Sequence, residues 1–182
     1  MIKIEKNIQD KILDIGGGGE GVISSIYGEN VIAIDYRKDE LDELPYACEK
    51  MVMDASEMSF EEEYFQNVTA FYSFMYIEKN KHRKVIREIY RVLKNGGNLY
   101  IWDTDILQET EGNSPYIVDL NIDANGRMIQ TTFGIIKPDA MQSCDYFKEL
   151  CAENGFELAD IVRVENHFFQ HWVKINSSYS YL

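Results

Sequence analysis

Residues 12–21 read ILDIGGGGEG, a short apolar run that leads directly into four consecutive glycines. The stretch from Lys11 to Gly16 has the length and composition of a buried β-strand. A glycine-rich turn and a helical segment follow it, and strand and helix patterns alternate farther along the chain. This alternation predicts an α/β fold with a mainly parallel sheet.

The four glycines indicate a ligand-binding loop, because glycine lets the backbone approach a ligand in conformations that side chains forbid. A tight turn without a ligand is the alternative, although such a turn needs fewer glycines. Gly16, Gly18 and Gly21 also fit the GxGxxG spacing of dinucleotide sites, with Asp35 about 20 residues farther on. The loop alone therefore leaves the ligand open.

Asp14 favours a cationic ligand over a dinucleotide. A carboxylate just before the loop would repel an anionic pyrophosphate, but it would attract a ligand such as S-adenosylmethionine, which carries a sulfonium and an amino group. The alternative is that Asp14 caps amide groups of the loop.

Two more carboxylates come at predicted strand ends, where ligands of open α/β sheets bind. Asp35 closes the strand 31–35 and could accept both hydroxyls of a ribose, or instead cap the next helix. Asp54 ends the third strand and is followed by Ala55, so its side chain or the adjacent backbone could meet an adenine amino group. A helix cap for the segment that begins at Ser56 is the other interpretation of Asp54.

The remaining patterns complete a single domain over residues 1–182. They predict a doubly wound, mainly parallel seven-stranded sheet with an antiparallel last strand, and an insertion at 104–136 that contains a β-hairpin. The predicted elements are strands at 50–54, 68–74, 98–103, 157–164 and 168–175, helices at 20–27, 38–44, 81–94 and 139–154, and hairpin strands at 116–122 and 128–136.

In residues 11–103 the chain resembles the class I S-adenosylmethionine-dependent methyltransferases, especially the small-molecule type related to the ubiquinone and menaquinone biosynthesis enzymes. The stretches that carry the resemblance are ILDIGGGGEG, VIAID, MDASEM, VTAFYSFMYI and EIYRVLKNGGNLYIWD. The last is the most specific, since a dinucleotide dehydrogenase has no reason to carry an RVLK-x-GG turn before its fifth strand.

The resemblance implies an enzyme that takes S-adenosylmethionine as cofactor and transfers its methyl group to a small acceptor. It implies these cofactor contacts: Gly16 and Gly18 under the methionine portion, Asp14 near the amino group, Asp35 on the ribose, Asp54 and Ala55 beside adenine, and Ser73 at the methyl-donor face. One departure from the family loop DxGxGxG is that Glu20 delays the last glycine to Gly21.

The acceptor side is predicted from aromatic residues and from the insertion. Phe74 and Tyr76 stand where amine methyltransferases often carry an NPPY-type tetrad, and an aromatic lining suits a flat or apolar acceptor. Packing in the core is the alternative for Phe74. Tyr116, Met128 and Phe133 of the insertion are further candidate linings, unless the hairpin only extends the sheet or forms a dimer contact.

No catalytic residue stands out, because methyl transfer to a reactive sulfonium can be accelerated by positioning and by exclusion of water. The weak candidates for a general base are His82, His167 and His171, with His82 expected on a solvated helix face. Asp103 and Asp105 together are too few ligands to predict a metal site.

Composition narrows the function classes. A net charge of −13, from 31 acidic and 18 basic residues, makes nucleic acid an unfavourable partner. No apolar run approaches the roughly 20 residues of a membrane span, which predicts a cytoplasmic protein without membrane insertion. Two alternatives to a methyltransferase remain: a catalytically silent sensor or scaffold that binds S-adenosylmethionine, and a dinucleotide-binding oxidoreductase. The sequence also leaves a homodimer open.

Overall fold

A computed structural model describes residues 1–108, 114–136 and 139–176 of the chain. Its strands are β1 (Ile2–Ile4), β2 (Ile12–Ile15), β3 (Val31–Asp35), β4 (Glu49–Val52), β5 (Phe65–Phe71), β6 (Leu93–Thr104), β7 (Tyr116–Ala124), β8 (Arg127–Ile135), β9 (Phe156–Val164) and β10 (His167–Lys174). Its α-helices are α1 (Val22–Tyr27), α2 (Lys38–Glu43), α3 (Lys79–Val92) and α4 (Cys144–Ala152).

Seven of these strands form the central sheet, in the spatial order β4-β3-β2-β5-β6-β10-β9. The pairs from β4 to β6 are parallel, and β10 is antiparallel to both of its neighbours. The Rossmann-like α/β fold predicted from the sequence is thus confirmed. The chain winds in opposite directions from β2, towards β3 on one side and β5 on the other, and this reversal opens a crevice at the carboxyl ends of the strands.

The sheet is buried on both faces, as parallel sheets are. Every residue of β2 is buried, and so are four of the five residues of β3. Two apolar clusters lie on the two faces: one contains Val85, Ile86 and Phe147 from α3 and α4, and the other contains Ile23 of α1. The helical coverage explains why these strands read as continuous apolar runs in the sequence.

The strand predicted at 68–74 begins earlier and ends earlier than expected. β5 stops at Phe71, and Phe74–Tyr76 form a short 3-10 turn instead of continuing the strand. The break comes at Tyr72, whose φ of +51° lies in the left-handed region. A non-glycine residue in this region cannot continue an extended strand, so the side chains of residues 73–76 leave the strand alternation.

A second, three-stranded sheet has the order β1-β7-β8. β7 and β8 form an antiparallel hairpin, and the N-terminal β1 pairs with β7 in parallel. Val118, Leu120 and Ile122 are buried in the same cluster as Ile23 of α1. The hairpin therefore packs over one face of the central sheet and does not extend it, which corrects that alternative. The predicted insertion at 104–136 includes residues 109–113, which lie outside the described residues.

Within the described ranges, the protein has no helix that is both long enough and apolar enough to cross a bilayer.

Candidate functional site

A cavity of ≈ 540 Å³ opens at the carboxyl ends of β2, β3 and β5, where the winding of the chain reverses. This volume lies within the usual range for sites that bind small molecules. The lining comes from the glycine-rich loop, the segments after β3, β4 and β5, the start of α3, and the end of β8. Residues far apart in the sequence therefore meet in one place.

The glycine-rich loop closely approaches neighbouring segments. Gly16 has a φ of +66°, and a Cβ atom on it would lie 2.6 Å from the Cβ of Ser73. Gly21 precedes α1 with a φ of +54°, and a Cβ atom there would lie 1.9 Å from Cδ1 of Leu44. The amide of Gly17 donates to the carbonyl of Ile34 at 3.1 Å, which holds the loop against β3. Larger residues at Gly16 and Gly21 would displace the loop.

Asp14 lies buried at the base of this loop. Its Oδ1 accepts a hydrogen bond from the hydroxyl of Thr69 at 2.7 Å, and its Oδ2 faces Gly17, where a Cβ atom would come within 2.7 Å. Burial raises the pKa of Asp14 to about 7; the Thr69 hydrogen bond opposes this shift, and the charge of Asp35 adds to it. A carboxyl group in this state gains its charge most easily when a cation lies beside it.

Asp35 lies half-buried at the end of β3. Its Oδ1 accepts from the amide of Arg37 at 2.9 Å, and its Oδ2 would lie 3.2 Å from a Cβ atom on Gly18. Burial raises its pKa, while hydrogen bonds from the backbone amides of Arg37 and Gly18 oppose that shift. The residue that caps α2 is Arg37, so Asp35 is not the helix cap that the sequence left as an alternative. Oδ2 of Asp35 thus faces the glycine-rich loop, and both line the cavity.

We expect Asp35→Ala to weaken the binding of S-adenosylhomocysteine by about 1 to 3 kcal/mol, the range for hydrogen bonds to a charged acceptor. The domain should stay folded, because Asp35 does not belong to the apolar core. Calorimetric titration measures the affinity, and Asp39→Ala, which removes an exposed carboxylate from the same turn, is the matched control. Equal affinities of the two variants would contradict a ribose contact.

Asp54 and Ala55 lie at the rim of the cavity. The Oδ1 of Asp54 accepts from the amide of Ser56 at 2.8 Å, and Oδ2 lies 3.2 Å from the Nζ of Lys81. No helix begins at Ser56; the segment is a turn, closed by the amide of Glu57 on the carbonyl of Asp54. The helix-cap interpretation of Asp54 is therefore wrong, and its real partner Lys81 comes from α3.

The short turn after β5 divides its residues between the cavity and the core. Ser73 is buried beside Gly16, and its hydroxyl has no protein hydrogen-bond partner. Tyr76 lines the cavity, and burial together with Glu20 and Glu40 raises its pKa to about 12. Phe74 instead packs against Phe147, with ring centroids 5.0 Å apart. Its prediction as an acceptor lining is wrong, because the 3-10 turn directs it into the core.

Three hairpin residues, Tyr116, Met128 and Phe133, were predicted to line the acceptor site, and of these only Phe133 lines the cavity. Its ring centroid lies 6.0 Å from that of Tyr72 and 6.3 Å from that of Tyr76. Met128 is 58% exposed and lies outside the lining. It is an odd number of positions away from Phe133 on the same strand, so the two side chains point to opposite faces. Tyr116 also lies outside, and its hydroxyl donates to the carbonyl of Asp105 at 3.1 Å.

None of the three histidines lines the cavity directly. His82 is 2% exposed, and its Nε2 lies 3.0 Å from the carbonyl of Phe74, so the solvated position predicted for it is wrong. The spacing of His82 with Val85, Ile86 and Ile89 matches one face of a helix and could have indicated burial. His171 bonds the side chain of Asn98 at 2.9 Å, and His167 bonds the hydroxyl of Tyr72 at 2.8 Å.

Several polar residues that line the cavity were not predicted from the sequence, among them Tyr72, Lys81, Glu40 and Glu20. Tyr72 follows the end of β5, a position that could have indicated a ligand contact. Lys81 and Glu40 project from helices, and Glu20 extends from the glycine-rich loop to bond the hydroxyl of Thr131 in β8. Glu20 is the residue that delays the last glycine of the loop, so this departure from the family pattern joins the loop to the hairpin.

Asp103 and Asp105 are engaged with protein partners. Oδ1 of Asp103 accepts from the side chain of Gln142 at 2.6 Å, and Asp105 forms an ion pair with Arg163. Among the residues that the structure describes, no three histidine, cysteine or acidic side chains come together as a metal site would require. Burial raises the pKa of Asp103 to about 7.

The cavity has an excess of negative charge. Its lining contains two basic side chains, Arg37 and Lys81, and six acidic ones: Asp14, Glu20, Asp35, Glu40, Asp54 and Glu78. Such a lining favours a ligand with positive charge and disfavours a pyrophosphate. A sulfonium and an ammonium group therefore fit the residues present, and the unpartnered hydroxyl of Ser73 is available for a ligand contact.

Comparisons with known proteins agree with this geometry. Residues 13–101 match the family model described as a methyltransferase domain. No curated protein matched the sequence.

Several solved structures have the same fold as this chain over nearly its whole length. The PH0226 protein of Pyrococcus horikoshii is 18% identical, with a TM-score of 0.69 over 93% of this chain and 84% of its own. An S-adenosylmethionine-dependent methyltransferase of Methanosarcina mazei is also 18% identical, with a TM-score of 0.63 over 92% and 94%. The glycopeptide N-methyltransferase MtfA, solved with sinefungin, is 12% identical, with a TM-score of 0.64 over 93% and 82%.

Proposed function

We propose that this chain methylates a small aromatic or apolar acceptor. The match to a methyltransferase domain and the fold shared with S-adenosylmethionine-dependent methyltransferases support this proposal. S-Adenosylmethionine is the cofactor that these comparisons support. The acceptor class is our own inference, and it agrees with the resemblance to the small-molecule enzymes of ubiquinone and menaquinone biosynthesis.

The observation that carries the proposal is that one cavity joins two chemically different sides. The loop side consists of residues 14–21, Asp35 and residues 53–55, and it is rich in glycine and carboxylates. The aromatic side consists of Tyr72, Tyr76 and Phe133. A cationic cofactor fits the loop side, and a flat or apolar acceptor fits the aromatic side, so the reacting groups could meet between them.

The bound cofactor supplies a methyl group on a positively charged sulfur. On the loop side, Gly16 and Gly18 would lie under its methionine portion, Asp14 near its amino group, and Asp35 on its ribose. Asp54 and Ala55 would border the adenine. The buried carboxyl group of Asp14 supports this arrangement, because a cation beside it offsets the cost of its charge in a buried site.

The insertion at 104–136 supplies part of the aromatic side. Phe133 contacts both tyrosines, and the contact between Glu20 and Thr131 holds β8 against the glycine-rich loop. We infer that this segment orients the acceptor and excludes water from the methyl group, which are the contributions that methyl transfer needs from the protein.

We expect S-adenosylmethionine and S-adenosylhomocysteine to raise the melting temperature of the protein, and NAD to leave it unchanged. A ligand that binds only the native state stabilises it by about 2.7 kcal/mol at 100 times its dissociation constant. Thermal shift measures the effect. Equal stabilisation by NAD would overturn the proposed cofactor.

Methyl transfer itself is tested with methyl-labelled S-adenosylmethionine and a metabolite extract. The proposal requires protein-dependent release of S-adenosylhomocysteine and the appearance of the label in a small molecule. Cofactor binding without any transfer would instead favour a sensor or scaffold.

A further inference from the structure

We propose that Tyr72 and His167 act as a proton-accepting pair, in which Tyr72 receives the proton of a neutral hydroxyl or amine acceptor and His167 acts through Tyr72. The inference rests on the proposed function and narrows its substrate class, because the pair serves only an acceptor that has a proton to lose.

The pair connects the cavity to a histidine behind its lining. Tyr72 belongs to the aromatic side, next to Phe133, whereas His167 lies at the start of β10. The phenol oxygen of Tyr72 and Nδ1 of His167 are 2.8 Å apart, a strong hydrogen-bond distance. Tyr72 is 2% exposed, so little water competes for this bond.

The backbone holds both partners in place. Tyr72 has a φ of +51°, in the left-handed region that is unfavourable for a residue with a side chain. Its amide donates to the carbonyl of Trp102 at 2.8 Å, which fixes the bend. His167 pairs with Thr104 across β6 and β10. Strain of this kind persists at functional sites, where the surroundings enforce it.

Burial favours the neutral imidazole and the protonated phenol. Burial lowers the pKa of His167; Glu165 opposes this shift, and the N-terminal ammonium adds to it. Burial and Asp103 raise the pKa of Tyr72. Nearby Asp105 is neutralised by its ion pair with Arg163. The proposal assigns to the neutral imidazole the tautomer with its proton on Nε2, in which Nδ1 accepts the hydrogen bond of the phenol.

The proton transfer balances the reaction. The acceptor's oxygen or nitrogen forms a bond to the methyl carbon, and the electron pair of the broken carbon–sulfur bond stays on sulfur. The acceptor's proton passes to the phenol oxygen of Tyr72, and the proton of Tyr72 passes to Nδ1 of His167. The imidazolium then releases one proton to solvent for each methyl group transferred.

The first test is nuclear magnetic resonance of the histidine ring nitrogens in the intact, ligand-free protein. Because a phenol donor stabilises the neutral imidazole, Tyr72→Phe should raise the pKa of His167 by about one unit. Tyr146→Phe is the matched control, since Tyr146 bonds Nδ1 of His82 at 3.2 Å and lies outside the cavity lining. An unchanged His167 titration in Tyr72→Phe would overturn the pair.

The second test uses phenol and anisole as probes of the protein saturated with S-adenosylhomocysteine. Phenol has a proton to donate and anisole has none, so phenol alone should shift the ring-nitrogen resonances of His167. Tyr72→Phe should abolish this difference, and Tyr146→Phe should keep it. Equal shifts with both probes, or no shift with either, would overturn the proposal that the pair receives a proton from the methyl acceptor.

The two proposals fail in different measurements. Absence of stabilisation by S-adenosylmethionine would overturn the proposed function and leave the titration of His167 unchanged. An uncoupled His167 in a protein that still transfers methyl groups would overturn only the pair.

Discussion

Gly16→Ala is expected to cost the folded protein about 2 to 5 kcal/mol and to abolish measurable binding of S-adenosylmethionine. The left-handed conformation at φ +66° contributes about 1 to 2 kcal/mol of this cost. The added Cβ atom, 2.6 Å from that of Ser73, contributes about 1 to 3 kcal/mol of overpacking. Binding is lost because the loop can relieve this contact only by moving into the cavity. Urea denaturation and calorimetric titration measure the two effects.

Two further variants separate the cost of the left-handed conformation from the cost of the steric overlap with Ser73. Gly96 has a similar φ of +71°, but a Cβ atom there would meet nothing within 4 Å, so Gly96→Ala should carry the conformational cost alone. Combining Gly16→Ala with Ser73→Gly removes the colliding atom and should recover stability and part of the affinity. Equal losses in Gly16→Ala and Gly96→Ala would show that the close approach to Ser73 is unimportant.

The second large effect is a dependence of stability on pH that comes from two buried carboxyl groups. Burial raises the pKa values of Asp14 and Asp103 from 3.8 to about 7. Between these values the folded protein binds more protons than the unfolded chain, so the free energy of unfolding falls as the pH rises. Each group contributes up to about 4 kcal/mol, which is fully present below pH 4 and lost above pH 7.

Isosteric variants isolate this contribution from the other carboxylates. Asp103→Asn should gain stability relative to the wild type as the pH rises from 5 to 8, because its amide cannot ionise. Asp54→Asn is the control: its carboxylate is half-exposed and its pKa is lowered, so the wild-type slope should remain between pH 5 and 8. Urea denaturation at each pH gives the free energies. Parallel curves for Asp103→Asn and the wild type would contradict the raised pKa.

The same chemistry affects ligand binding through Asp14. A cation beside its carboxylate favours the charged form, so S-adenosylmethionine should bind more tightly as the pH rises through about 7. In Asp14→Asn this dependence should disappear.

The predictions from sequence that succeeded depend on local patterns. An apolar run, four glycines and the alternation of helix and strand patterns predict the Rossmann-like sheet, because backbone freedom and periodic burial are properties of neighbouring residues. The same patterns place Asp14 and Asp35 in the last residues of neighbouring parallel strands, and the carboxyl ends of parallel strands meet at one edge. The residues on the loop side of the cavity could therefore be predicted from the sequence.

The predictions that failed depend on one backbone angle and on contacts between distant segments. The left-handed bend at Tyr72 directs Phe74 into the core, and no pattern in the sequence indicates this bend. Met128 and Tyr116 lie outside the cavity because strand alternation and the placement of the hairpin select Phe133 instead. The short β1 was not predicted either, since three residues become a strand only by pairing with β7.

The sequence by itself thus determined the sheet, and it placed the glycines and carboxylates of the loop side at one edge of that sheet, because both follow from the order of residues along single strands and turns. Only the tertiary structure decided which residues form the aromatic side and which histidine reaches it. Tyr72, Phe133 and His167 are separated by up to 95 residues in the chain and meet through packing of the hairpin and β10 on β5 and β6. Such contacts depend on burial and register across the whole domain, which no local spacing contains.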